Sequence, residues 1–402
     1  MMKYFFTKTW QWMAGIALLG ALGLYLWPLN QGNTFLYVIY DESKAGDKNQ
    51  VLGVANALKE HLPSNTLEIQ FDVKKKNEFL TDVRSSLKPE SKNKGIVIAA
   101  GVETIDIIKE LMPQDNLVIS HSSHQYTKEH GLLRNVADIV ALPRYVVTPD
   151  IQDDIETQQT TLVQTTGVPH NLSINTINEA YQKNKDQIPS ASQYMGVILG
   201  GDAPTTKNIM RYYTAKEAVQ LAEYLSPIVK EKKAHLLIIN GPRTGKHDQK
   251  TGKVIETSHR DGKPDKITTA FVTALEQKGL KAGQDFTLFD FQFDKPSVYP
   301  IILGALAAKK GAIFVAGEST SMVSESADCL PGLVTAFIND AMNENHQKHC
   351  LAEYTAGRVN ILNYNKGWHF SKSDISDSQQ KESAAKTIAN AIKKRWDEKA
   401  AL

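Results

Sequence analysis

From Phe35 onward, short apolar runs alternate with segments whose apolar residues recur at helical spacing, and this alternation limits the possible folds more than any other feature. Strand runs read at 35–40, 67–71, 95–100, 117–120 and 137–142. At 50–62, Val51, Leu52, Val54, Ala55, Leu58 and Leu62 build one apolar helix face. Strands interleaved with amphipathic helices specify βαβ units and a parallel sheet. A polar stretch at 182–193 carries little hydrophobic signal and reads as a connection. The alternation then restarts, with strands at 194–199, 235–240, 286–289 and 312–316, and helices at 215–225, 266–278, 298–308 and from about Ser321.

A chain of 402 residues exceeds one ordinary domain, in keeping with two such units. The reading is an α/β chain of two Rossmann-like domains, 34–181 and 194–365, joined by a linker at 182–193. A polar tail with helix formers, 366–402, either packs back across the first unit or lies free. The formal net charge is +2, and the basic residues are scattered without forming a stripe, which argues against a nucleic-acid partner.

Residues 1–30 differ from the rest. Lys3 and Lys8 precede an apolar run from Trp10 to Trp27 broken only by Gln11, just long enough for a thin hydrocarbon layer. The exit, Leu26, Trp27, Pro28, Leu29, Asn30, lacks the small residues of a signal-peptide cleavage site, so an uncleaved transmembrane anchor is favoured over a secretory signal. This predicts a single-pass membrane protein, as of a bacterial inner membrane, N-terminus inside, with the side of the folded body less firmly fixed. Cys329 and Cys350 read equally as one bridge or as two buried thiols.

In open parallel sheets ligands gather at the carboxyl ends of the strands, so the loops following strands are the candidate sites. The run GAIFVAGESTSMVSES at 311–326 is a buried strand breaking at Gly317 into hydroxyl residues and a helix start, where free N–H groups favour a phosphate. Ser319, Ser321 and Ser324 supply hydroxyls, and Glu325 suits a sugar diol; the plainer reading is helix capping. After the first strand, Gly46 permits close approach while Asp47, Asn49 and Gln50 set polar groups at a helix start, Asp47 serving equally as an N-cap. Gly200 and Gly201 make room for a phosphate, with Lys207 as a nearby cation. The loop GPRTGKH at 241–247 misses the P-loop spacing, yet Arg243 remains a diphosphate contact candidate. His170 ends a small-residue turn and reads either as structural or as a proton carrier. His121 and His124 lack further ligands nearby, so no metal set is evident.

Five segments, KAGDKNQVLGVANAL at 44–58, ADIVALPR at 137–144, VQTTGVPHNL at 163–172, ILGGDAPTTK at 198–207 and STSMVSES at 319–326, occur in an order that resembles the mitochondrial-fission Elm (Elongated Mitochondria) family and its bacterial relatives. The resemblance implies a GT-B-like glycosyltransferase architecture, two Rossmann-like domains facing across a cleft. The second would hold a nucleotide-sugar donor at Gly200, Gly201, Lys207, Arg243, Ser319, Ser321, Ser324 and Glu325. The first would hold a cell-envelope acceptor near Gly46, Asn49, Gln50 and His170, with Asp47 as catalytic base. No cofactor or metal is called for. One departure stands out: relatives carry a Ser-Arg-Arg-Thr-like segment where this chain reads Asn240, Gly241, Pro242, Arg243, Thr244. The loss of one arginine leaves open a second expectation, a non-catalytic membrane-anchored binding or scaffold protein.

Overall fold

The computed structural model of the chain describes residues 32–88, 90–111, 113–205, 209–257, 259, 261–367, 369–371 and 382–401. The first lobe contains β1 (Thr34–Tyr40), α1 (Ala45–Lys59), β2 (Leu67–Asp72), α2 (Lys76–Ser86), β3 (Lys94–Ala100), α3 (Ile105–Ile108), β4 (Leu117–Ser122), β5 (Ile139–Pro143), α4 (Pro149–Ile155) and β6 (Thr161–Thr165). Its six strands are ordered β2-β1-β3-β4-β5-β6, every pair parallel. All seven residues of β1 are buried, as a strand covered on both faces must be. Tyr37, Phe79, Ile105 and Leu133 pack on one side of the sheet, and Leu36, Val51, Val54 and Leu58 on the other.

The second lobe contains α5 (Ile174–Asn184), β7 (Tyr194–Ile198), the short pair β8 (Ala203–Pro204) and β9 (Met210–Arg211), α6 (Ala215–Lys232), β10 (His235–Ile239), α7 (Lys266–Gln277), β11 (Phe286–Phe289) and α8 (Tyr299–Lys309). It continues through β12 (Ile313–Ala316), α9 (Thr320–Cys329), β13 (Val334–Ile338), α10 (Glu344–Thr355), β14 (Asn360–Asn363) and β15 (His369–Ser371). The strand order is β11-β10-β7-β12-β13-β14-β15, parallel except where β15 runs against β14. The chain reverses at β7, between β10 and β12, a switch point of the kind that opens a crevice at the strand ends.

α5 packs into the core of the second lobe, Ile177 lying with Ile302, Leu303 and Leu306 of α8. Gly304 lets the two helices touch, since a Cβ there would meet the Tyr181 side chain at 2.6 Å. The residues expected as a linker, 182–193, thus include the end of a helix already docked on the second lobe, and the chain passes between lobes at 166–173.

The tail resolves in favour of packing back. α11 (Ala384–Ala401) sets Ala385, Ile388, Ala389 and Ile392 at helical spacing against α1 and the first sheet. Beyond that stripe, Lys399 Nζ donates to Asp138 Oδ1 at 2.8 Å and to the Leu117 carbonyl at 2.6 Å, and Arg395 Nε donates to Asp138 Oδ1 at 3.0 Å.

One expectation requires correction. No described helix is long and apolar enough to cross a membrane. Residues 1–30, where the transmembrane helix was placed, lie outside the described residues. The two-lobed α/β fold therefore stands without the membrane-spanning helix, and the membrane partner and single-pass localisation drawn from that helix are withdrawn with it. Cys329 and Cys350 are both buried free thiols and form no bridge.

Ile392 is fully buried between α11 and the first lobe, so Ile392→Ala should destabilise the fold by about 2–5 kcal/mol, read as a lowered denaturation midpoint in urea.

Candidate functional site

In a parallel sheet every strand delivers its following loop to the same edge, and here the carboxyl edges of the two sheets meet. Three pairs of residues show it. Val168, after β6, donates its N–H to Ser324 Oγ of α9 at 3.2 Å. The Tyr145 ring, after β5, lies edge-on to His349 of α10 with centroids 5.4 Å apart. His124, after β4, acts electrostatically on His346 of α10.

On the first lobe, Asp47 sits in the first turn of α1, where a carboxylate is favoured by the helix dipole. It is buried, accepts a long bond from Gln50 Nε2 at 3.4 Å, and faces Gly101 at the end of β3. Gly101 has φ +87°, and a Cβ there would meet Asp47 Oδ2 at 2.5 Å, so only glycine leaves the carboxylate its place. Burial pushes the Asp47 carboxyl above its ordinary 3.8, opposed by the charges of His124 and Lys44. Lys44 itself pairs with Glu103. Gly46 and Asn49 are exposed on the same turn.

On the second lobe, four loops converge. Gly201, after β7, donates its N–H to Glu318 Oε1 at 2.6 Å, and Asn339, after β13, donates to Glu318 Oε2 at 2.5 Å. Asp202 N–H bonds the Arg243 carbonyl at 2.9 Å. A Cβ on Gly201 would come 2.8 Å from Arg243 Cβ, and one on Gly200 would enter the Tyr213 ring at 2.6 Å, so both glycines are there for close packing of the loops. Glu318 is buried and its carboxyl is raised by that burial, against the opposing pull of Asn339, the Gly201 N–H and Arg243. Arg243 and Arg211 are exposed, Arg211 being held by the Met342 carbonyl at 2.6 Å. His346 is driven down to about 4 by burial, then by Arg243, His349, His124 and Arg211. At neutral pH it is an uncharged imidazole among cations.

The start of α9 carries Ser319 at the N-cap position with no side-chain cap bond, leaving its first amides without that partner. Ser319 is half-buried and Ser321 exposed. Ser324 and Glu325 point elsewhere. Ser324 is fully buried and donates to Glu353 Oε1 at 2.8 Å while receiving the Val168 N–H. Glu325 is buried beside Tyr299 and His170, and burial raises its carboxyl. Lys207 lies outside the described residues.

His170 belongs to a buried chain of polar groups at the crossing. Its Nε2 meets Asp328 Oδ2 at 2.8 Å; Asp328 Oδ1 accepts from Arg358 at 2.7 Å; and Arg358 Nε donates to Glu353 Oε2 at 2.6 Å. Burial alone would lower the His170 imidazole, but the bond and charge of Asp328, with the charge of Glu325, outweigh it and hold the group above its ordinary 6.5. Sequence reasoning named Ser324, Glu325 and His170 for ligand contact; the structure makes them part of the junction. The acidic position ahead of the serine run was read as Glu318, but its bond to Gly201 was not, and His346 was missed. The acidic residue before a strand-end serine run was the available signal for Glu318, whereas His346 on α10 had none.

Arg358→Ala would strand the carboxylates of Glu353 and Asp328 in the interior and should cost about 3–5 kcal/mol by chemical denaturation. Because the folded value of His170 exceeds its unfolded one, its contribution is complete below pH 6.5 and lost as the pH rises through the folded value. The melting temperature of the native chain should therefore decline more steeply above pH 6.5 than that of His170→Gln.

The chain is similar to solved structures of low identity. The S. aureus MnaA-UDP co-structure is 10% identical with a TM-score of 0.43, over 90% of this chain and 87% of that one. A glycosyltransferase from Rickettsia africae is 11% identical with a TM-score of 0.41, over 92% and 94%. The α,α-trehalose 6-phosphate synthase of Burkholderia multivorans is 9% identical with a TM-score of 0.43, over 92% and 94%. At those scores the likenesses carry no argument. No curated protein matches the sequence. The family model described as mitochondrial fission ELM1 matches residues 45–262, more than half of the chain and four of the five segments set out above, and by that match the chain belongs to the mitochondrial fission ELM1 family.

Proposed function

We propose that this chain is a GT-B-type glycosyltransferase that moves a sugar from a nucleoside-diphosphate donor to a hydroxyl acceptor. The observation that carries the reading is the charge arrangement between the strand ends. His124 acts on Asp47 from one side and on His346 from the other, while Arg243 and Arg211 flank His346 and Lys44 flanks Asp47. A buried carboxylate with a raised proton affinity thus stands on the first lobe, and Arg243, Arg211 and a helix start without a side-chain cap stand on the second, the two sides linked through His124 and His346. That is the complement of an acceptor hydroxyl on one side and a diphosphate leaving group on the other.

In this reading Asp47 accepts the acceptor hydroxyl proton as the anomeric bond opens. Arg243 and the first amides of α9, with the hydroxyls of Ser319 and Ser321, neutralise the charge growing on the diphosphate. Lys207, which follows Gly201 in the segment ILGGDAPTTK, remains a proposed donor contact. Gly46, Asn49 and Gln50 would shape the acceptor side. Glu325 and Ser324 would act through the junction, holding His170 and Val168 so that the two walls stay in register. The envelope acceptor rested on the withdrawn membrane helix and is not carried forward.

The test is saturable binding of nucleoside diphosphates and their sugars to the purified chain, followed by turnover with hydroxyl acceptors. Arg243→Ala should weaken diphosphate binding about tenfold, the loss of one charge-assisted contact. Asp47→Asn should retain binding and lower turnover by about 10²–10⁴-fold. Difference infrared titration of the native chain against Asp47→Asn should place the carboxyl midpoint above 3.8. If no compound of the panel binds saturably, the transferase reading fails. Tight binding without turnover would favour the non-catalytic binding protein instead.

A further inference from the structure

Behind the Arg243 loop, at the carboxyl ends of β10 and β11, lies a group of side chains that the transfer reading does not use. His259, Asp265 and Asp290 each bring one donor atom within 4.8 Å of the others. They converge from three places: the loop before α7, the N-cap of α7 and the end of β11.

His259 is the informative member. Its side chain is fully buried, and its Nε2 lies 2.9 Å from the Thr244 carbonyl. A carbonyl only accepts, so Nε2 carries a proton and donates it. In the neutral ring Nδ1 then presents a lone pair, and that atom has no hydrogen-bond partner. What it faces is another acceptor, Asp290 Oδ1, at 3.9 Å. Two donors bound to one ion at about 2.1 Å stand about 3–4 Å apart, the separation of His259 Nδ1 from Asp290 Oδ1; Asp265 Oδ2 stands 3.9 Å from the other ring nitrogen, Nε2. A buried lone pair aimed at a carboxylate with nothing between them is otherwise an uncompensated cost.

The surroundings resemble the outer shell of a metal ligand set. Asn240 Nδ2 contacts Asp290 Oδ1 at 2.6 Å and Asp265 Oδ2 at 3.3 Å, aligning both carboxylates, while its Oδ1 takes the Phe291 N–H at 2.6 Å. Asp265 is further fixed by the amides of Ile267 and Thr268 at 2.8 and 3.0 Å and by the Thr268 hydroxyl at 2.5 Å. The imidazole whose far nitrogen donates to a backbone carbonyl is the usual arrangement for a metal-bound histidine. Asp290 is partly exposed, with 18% of its side-chain surface open, which provides a route of entry.

We propose that His259 Nδ1, Asp290 and Asp265 form a binding site for one divalent cation of the zinc or manganese class, the class suited to one imidazole and two carboxylates. The ion would pin the Thr244 carbonyl through His259 and so fix the loop that presents Arg243 to Gly201. The site does not depend on transfer activity, and its test reads the metal alone. The full chain, freed of metal by chelator, is titrated with ZnCl2 and separately with MnCl2 by calorimetry, and the uptake is checked by elemental analysis. Expected are one equivalent of at least one of these ions per chain, and at least a tenfold loss of affinity in both His259→Ala and Asp290→Asn, with unchanged far-ultraviolet dichroism. Should either variant misfold, Co2+ ligand-field absorption and metal-edge X-ray absorption of the native chain carry the test, a histidine nitrogen in the shell being required. Absence of stoichiometric uptake of either ion, uptake equal in the native chain and both folded variants, or a shell without histidine nitrogen would each overturn the proposal.

Discussion

The guanidinium of Arg358 is the group on which the two-lobed arrangement rests. It lies between Glu353 and Asp328, carboxylates that could not remain charged in the interior without it. Each carboxylate then reaches the crossing segment. Asp328 takes His170, and Glu353 takes the Ser324 hydroxyl, whose oxygen in turn receives the Val168 N–H. One cation thereby fixes where residues 168–170 lie against the second lobe. Since those residues follow directly on β6, it also fixes where the first sheet points its strand ends.

The remaining geometry follows from that placement. Parallel sheets concentrate their loops at one edge, and when two such edges are held face to face the loop residues form opposite walls. Asp47 and His124 stand on one wall, Arg243, His346 and the start of α9 on the other. Burial lifts the Asp47 carboxyl above its ordinary range and lowers His346 to about 4, so the imidazole is uncharged at neutral pH. Arg243 and Arg211 act on His346, and Lys44 on Asp47.

Much of the scaffold was legible because parallel strands covered on both faces must be apolar throughout. The runs at 35–40, 95–100, 286–289 and 312–316 coincide with β1, β3, β11 and β12 to within a residue or so. α11 was harder. Its apolar stripe is one of alanines with Ile388 and Ile392 among charged residues, a pattern that fits an exposed helix as well as a docked one. Side-chain direction was harder still. Glu318 and Glu325 lie seven residues apart, and only the position of α9 decides that the former meets Gly201 while the latter turns to Tyr299. His259, Asp265 and Asp290 share no motif spacing, because the three-dimensional path of β10 and β11 brings them together.

The return of α11 to the first lobe has a consequence for synthesis. The surface formed by Val51, Val54 and Leu58 emerges from the ribosome early, whereas the helix that covers it follows only after the whole second lobe. The first lobe must therefore wait, with that greasy patch bare, until α11 has emerged. Chaperone dependence and a premature stop before Ala384 are where this ordering would be felt first.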